Sequence, residues 1–130
     1  MIAIDTNVVV RFLVADDQRQ ADRAEAVLRR GPVLVPKTVL LETEWVLRGA
    51  YRLASADIAV GFRKLLGLAG VGVEDAAAVW RAMDWYDRGF DFADALHLAS
   101  AGVAKQFATF DVALARRAKG LADAPVVVKQ

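Results

Sequence analysis

Met1-Ile2-Ala3-Ile4-Asp5-Thr6-Asn7 is a short apolar run that ends on a carboxylate and passes directly into Val8-Val9-Val10. That pattern predicts a buried strand handing over to a helix, with Asp5 where the strand stops. In open α/β sheets the carboxyl ends of the strands collect ligand-handling groups, because the loops there form a crevice between helices on opposite faces. A charge in that position needs a partner.

Working outward, residues 5–14 read as a short helix with Val8, Val9, Phe12 and Leu13 inward. Asp16 or Asp17 caps the next helix, which carries Ala21, Ala24, Val27 and Leu28 on one face and stops at Gly31-Pro32. Val33-Leu34-Val35 is a second buried strand, closed by Pro36. Thr38 is expected to cap a helix to about residue 53, with Val39, Leu40, Trp45, Val46 and Leu47 among its apolar positions. Ser55 or Asp57 starts another helix, Val71-Gly72-Val73 is a weak third strand, and Glu74 with Asp75 opens a helix through Trp80, Met83 and Tyr86. Asp91 caps a helix from Phe92 to about Val103, 107–110 is a fourth strand, Asp111 leads a helix to Lys119, and 126–128 is a last strand.

Short strands alternating with helices predict a three-layer α/β/α fold around a doubly wound parallel sheet of four to five strands. The 130 residues match one domain, 1–130, with no repeats or linkers. An apolar fraction of 56% is high for a soluble monomer, yet no apolar run approaches the roughly 20 residues that span a bilayer. The surplus is read as a subunit interface, hence a homodimer. No signal peptide is expected before Asp5, and the absence of cysteine removes disulfides and thiolate metal sites, so a cytoplasmic location is expected. The net charge of +1 excludes a generic polycation that binds nucleic acid through bulk charge. It leaves room for a local site.

Most acids fit solvated helix faces or loops, including Asp22, Glu25, Asp84, Asp87 and Asp123. Four do not fit as easily. Glu44 has Arg48 four residues on, the favourable spacing for an exposed pair, whereas Glu42 is flanked by Thr38, Val39, Trp45 and Val46 and is expected to face the core or a cleft. Asp111 repeats the strand, acid, helix order of Asp5. Each has a bland reading as a helix cap, and what favours a site is that both would lie at one edge of one sheet. Asp91 is explained as a cap, and Asp94 either closes a capping box or joins the site.

Carboxylates brought close together repel unless a cation compensates them, and Mg²⁺ with its oxygen preference suits that task, as one ion or two about 4 Å apart. His97, the one histidine, has Ala93 and Ala101 four residues either side and is read as core or cleft filler.

With these residues identified, the chain resembles the PIN-domain ribonucleases, specifically the VapC-type toxins of toxin–antitoxin pairs. The resemblance rests on Ile4-Asp5-Thr6-Asn7, Leu41-Glu42 followed by Trp45-Val46-Leu47, Asp94-Ala95-Leu96 with Ala99 and Ala101, and Thr109-Phe110-Asp111. It implies Mg²⁺ or Mn²⁺ dependence, endonucleolytic hydrolysis of RNA, dimerisation, and inhibition by a small cognate antitoxin. By position, Asp5, Glu42, Asp94 and Asp111 match the family's acidic quartet, Thr6, Asn7 and Thr109 its supporting polar residues, and Asp91 a variable accessory position. Lys37, Arg48, Arg52, Arg116 and Arg117 are candidates for flanking phosphates. Two rivals stand beside this reading: a non-catalytic interaction module of the same fold, and a Mg²⁺-binding phospho-receiver domain, which lacks an acid at the end of a middle strand here.

Overall fold

The structure, a computed structural model, describes residues 1–130 and divides into two compact units, Met1–Ala76 and Ala77–Gln130. In the first, strand β1 (Ile2–Ala3) leads to helices α1 (Thr6–Val14) and α2 (Gln18–Arg29). Strand β2 (Val33–Val35), helices α3 (Lys37–Gly49) and α4 (Ser55–Leu66) and strand β3 (Val71–Val73) follow. The three strands form one sheet in the order β1-β2-β3, with Ile2 opposite Val33 and Val33 opposite Val71, every pair parallel. Val33 and Val35 are buried with Leu34 between them half-buried, as the covered middle strand of a parallel sheet requires.

In the second unit, helices α5 (Ala76–Asp87) and α6 (Phe92–Ser100) precede strand β4 (Gln106–Thr109), helix α7 (Val112–Arg117) and strand β5 (Val126–Lys129). β4 and β5 pair in parallel, with Phe107 opposite Val127. Tyr86 and Phe92 meet edge to face at 5.1 Å between ring centroids, which ties α5 to the start of α6. The α/β class and the parallel pairing expected from the sequence are those observed, with the five strands in ladders of three and two. β1 and β4, whose ends carry Asp5 and Asp111, thus belong to separate ladders, so no common ladder edge joins those two acids.

Helix α3 departs most from expectation. Its buried face is Leu40, Thr43, Glu44 and Leu47, a 3.6-period stripe rotated about one residue from the one the apolar side chains suggest. Glu44 is therefore buried at 2% exposure, and Trp45, expected inward, stands 67% exposed. The Glu44–Arg48 pair does form, at 3.0 Å, but with its carboxylate inside and only the guanidinium in solvent. The helix also stops at Gly49 rather than near residue 53, because Arg52 adopts a left-handed backbone (φ 55°) and the Leu53 amide folds back onto the Leu47 carbonyl at 3.0 Å.

Thr38 does not cap α3. The helix begins one residue earlier, at Lys37, and no side chain of its own caps it. Instead the Lys37 amide donates to Glu74 Oε1 at 3.0 Å, and the Lys37 ammonium pairs with Asp75 at 2.9 Å. Glu74 and Asp75, expected to open α5, thus serve the start of α3, since the parallel register of β2 and β3 brings both strand ends to the same place. Glu74→Ala is expected to lower the unfolding free energy by about 1 kcal/mol, the usual cost of a lost helix-start acceptor, measured as a shifted midpoint with unchanged slope in urea denaturation.

Candidate active site

Asp5 follows the buried Ile4 and is itself exposed. As N-cap of α1 it has an extended backbone and accepts the Val8 amide at 3.2 Å. At the first residue of the same helix, the Thr6 hydroxyl donates to Glu42 Oε1, a contact that ties the beginning of α1 to the middle of α3. Glu42, expected to face the core or a cleft, is exposed and so does not face the core, as the rotation of the α3 stripe dictates. The exposed Trp45 lies three residues on, on the same face. Helical side chains lean toward the N-terminus, so the indole overhangs the turn that carries Glu42.

The second unit gathers a different set. Asp91 accepts the Asp94 amide at 3.0 Å as N-cap of α6, and Asp111 accepts the Leu114 amide at 3.0 Å as N-cap of α7. The Asp111 amide in turn donates to Thr109 Oγ1 at 3.0 Å. A cap engages one of a carboxylate's two oxygens, so the structural reading of Asp5, Asp91 and Asp111 and a ligand-binding reading coexist. Asp94 is half-buried in the first turn of α6. Burial, then the charges of Asp91 and Asp111, push its carboxyl above the usual carboxylate range, and His97 opposes them. His97 is not core filler: it is exposed and acts on Asp94 from one turn along the helix.

Of the expected residues, Asp5, Thr6 and Glu42 are thus associated in the first unit, and Asp91, Asp94, Asp111 and Thr109 in the second. Asn7 is exposed beside Thr6. The expected phosphate-holding cations divide. Lys37 pairs with Asp75, Arg48 with Glu44, and Arg117 donates to the Gly89 carbonyl in the turn before Asp91. Arg52 and Arg116 are exposed. Arg117 is therefore a brace for the α5–α6 turn, which no sequence spacing announced.

No group of three or more His, Asp or Glu side chains is placed to hold one metal ion. Mg²⁺ does not need such a cage, because it commonly takes one or two carboxylates and completes its shell with water. The donor set fits that mode. Burial first, and the charges of Asp91 and Asp111 after it, impose an ionisation cost on Asp94 that a hard dication would offset.

The raised proton affinity of Asp94 has a consequence for stability. The folded chain holds this proton more tightly than the unfolded chain, so its contribution is complete below the ordinary value of 3.8 and is lost as pH rises through the higher folded value. Asp94→Asn cannot ionise. It is expected to melt higher than the wild type at pH 7, by roughly 1–3 °C, with the difference closing toward pH 4 in thermal scans by circular dichroism. An equal difference at both pH values would assign the gain to something other than charge.

Compared with known families, the chain matches the PIN domain over residues 2–120, a span that reaches into both compact units. No curated protein and no solved structure matches it.

Proposed function

We propose, because this chain belongs to the PIN domain family, that it is a metal-dependent endoribonuclease acting as the VapC-type toxin of a toxin–antitoxin pair. Family membership carries the nuclease-type fold. It also displaces the phospho-receiver reading. The observation that supports catalysis most directly is the setting of Asp94, half-buried with Asp91 and Asp111 as electrostatic neighbours. Asp91 and Asp111 serve folding as helix caps, whereas Asp94 caps nothing and has its proton affinity raised by burial first and by those two charges second; perturbed acids of this kind concentrate at functional sites.

Asp5, Glu42, Asp94 and Asp111 are the residues proposed to hold Mg²⁺ or Mn²⁺, directly or through water. The ion, when bound, supplies charge neutralisation and activation of water for phosphodiester hydrolysis. The chain's own residues set the stage for it. Asp5, Asp91 and Asp111 are oriented by the helix-start amides they accept, so little reorganisation is needed for a ligand. Thr6 holds one Glu42 oxygen, and Thr109 fixes the backbone at Asp111. The exposed Trp45 offers a flat apolar face on which an unpaired base can stack.

A small cognate antitoxin and a second copy of the chain are the proposed protein partners. No helix is long and apolar enough to cross a membrane. A non-catalytic interaction module of the same fold is the second reading, and the 68% exposure of Val60 on α4 together with Trp45 favours it.

Incubation of the purified chain with RNAs of varied sequence and Mg²⁺ or Mn²⁺ is expected to give discrete internal cuts that a chelator abolishes. Asp5→Asn, Glu42→Gln, Asp94→Asn and Asp111→Asn should each lower the cleavage rate at least about 100-fold, the range in which loss of a catalytic electrostatic contact falls. Millimolar Mg²⁺ is expected to raise Tm at pH 7, and metal-induced stabilisation should shrink as pH falls and Asp94 takes up its proton. Inert wild type over many RNAs, with no metal-dependent Tm, would select the interaction module.

A further inference from the structure

A groove of about 430 Å³ lies between α1 and α2, lined by Asn7, Val8, Arg11, Gln20, Arg23 and Val27 among others. Asn7 and Arg11 are four residues apart on one helix, and Gln20, Arg23 and Val27 lie along one face of the other. Two guanidinium groups and two carboxamides thus line the groove, and no carboxylate does. Arg23 has no ion-pair partner, and Arg11 touches Asp16 only at 3.6 Å while its side chain stays 38% exposed. The larger cavity of about 820 Å³, toward α4, contrasts with it: Asp22 and Glu25 line that one beside Arg29 and Lys64.

Like charges in an acid-free concavity focus a positive field and favour an anion. The planar fork of arginine matches two phosphate oxygens, and amide side chains commonly donate to phosphate and sugar oxygens. The groove's position adds to this chemistry. Asn7 follows Thr6, whose hydroxyl holds Glu42, so the groove opens where the first-unit part of the candidate site ends. From Asn7, Arg11 is about 6 Å further along the helix axis.

We propose that the α1–α2 groove is a phosphate subsite for an unpaired RNA strand, in which Arg11 and Arg23 grip a phosphate beside the one being cleaved. This deepens the ribonuclease reading, which names the anion as RNA. The groove itself stands on the charge and placement of its own residues.

The test is binding of a fluorescein-labelled ten-nucleotide oligouridine, followed by anisotropy in EDTA so that no cleavage intervenes. Arg23→Gln is expected to weaken binding 5- to 20-fold at low salt and to reduce the slope of log affinity against log salt by about 0.7, the value for one phosphate contact on a single strand. Arg11→Gln/Arg23→Gln should weaken it further. Arg23→Lys should keep the slope and lose part of the affinity. Arg19→Gln, on the same helix but outside the groove, removes the same charge and should change affinity less than 2-fold. Arg23 is exposed, so its variants should melt with the wild type.

Equal effects of Arg19→Gln and Arg23→Gln would reduce the groove to bulk charge and overturn the proposal. So would the absence of RNA binding by the wild type, or an oligoglutamate peptide whose binding needs Arg23 while RNA binding does not. A protein that cleaves RNA yet binds it independently of Arg23 would sink the subsite alone. One that never cleaves yet needs Arg23 to bind RNA would sink the nuclease reading alone.

Discussion

The amide groups at the start of a helix have no partner within it, and in this protein carboxylates supply that partner repeatedly. Asp5, Asp17, Asp91 and Asp111 each accept an amide three residues on, at 3.0–3.2 Å. The requirement is local and chemical, yet its effect is positional. It anchors Asp5 at the end of β1 and Asp111 just past β4, and it directs each carboxylate to a helix start, where the macrodipole favours negative charge. In each unit, the candidate carboxylates at helix starts are groups that folding already needs. Their remaining acceptor capacity is what a cation or a substrate can use.

Asp94 is the exception among these acids. It caps nothing, it is half-buried, and Asp91 and Asp111 make its ionisation harder. Glu44 is buried too, but Arg48 answers it within one helical turn at 3.0 Å, and that pair is an element of packing. The difference between the two acids is the sign of what surrounds them. One is met by a guanidinium and the other chiefly by its own kind.

The distribution of cations follows a similar division. Lys37, Arg48 and Arg117 are engaged in holding helix starts, a buried acid and a turn. Arg23, and Arg11 with Asp16 at 3.6 Å, line a groove whose lining holds no carboxylate. Counting charges along the chain, with 17 basic and 16 acidic residues, conceals this, because near-neutrality overall is compatible with a strongly one-signed concavity.

The alternation of strands and helices, the parallel pairing and the cap positions of Asp5, Asp91 and Asp111 were legible in the sequence, because they depend on periodicity and on neighbours three or four residues away; the start of α3 was not. Thr109 beside Asp111 was legible for the same reason. Glu42 and Glu44 were not, since which stripe of α3 is buried depends on what packs against that helix, and the apolar Trp45 pointed to the wrong one. Glu74 as the acceptor at Lys37, 37 residues away, the ladders of three and two, and the pairing of Arg11 with Arg23 in one groove depend on how separate segments come together. Tertiary structure alone decided these, because hydrogen bonds and fields act through space and a residue's spatial neighbours are not its neighbours along the chain.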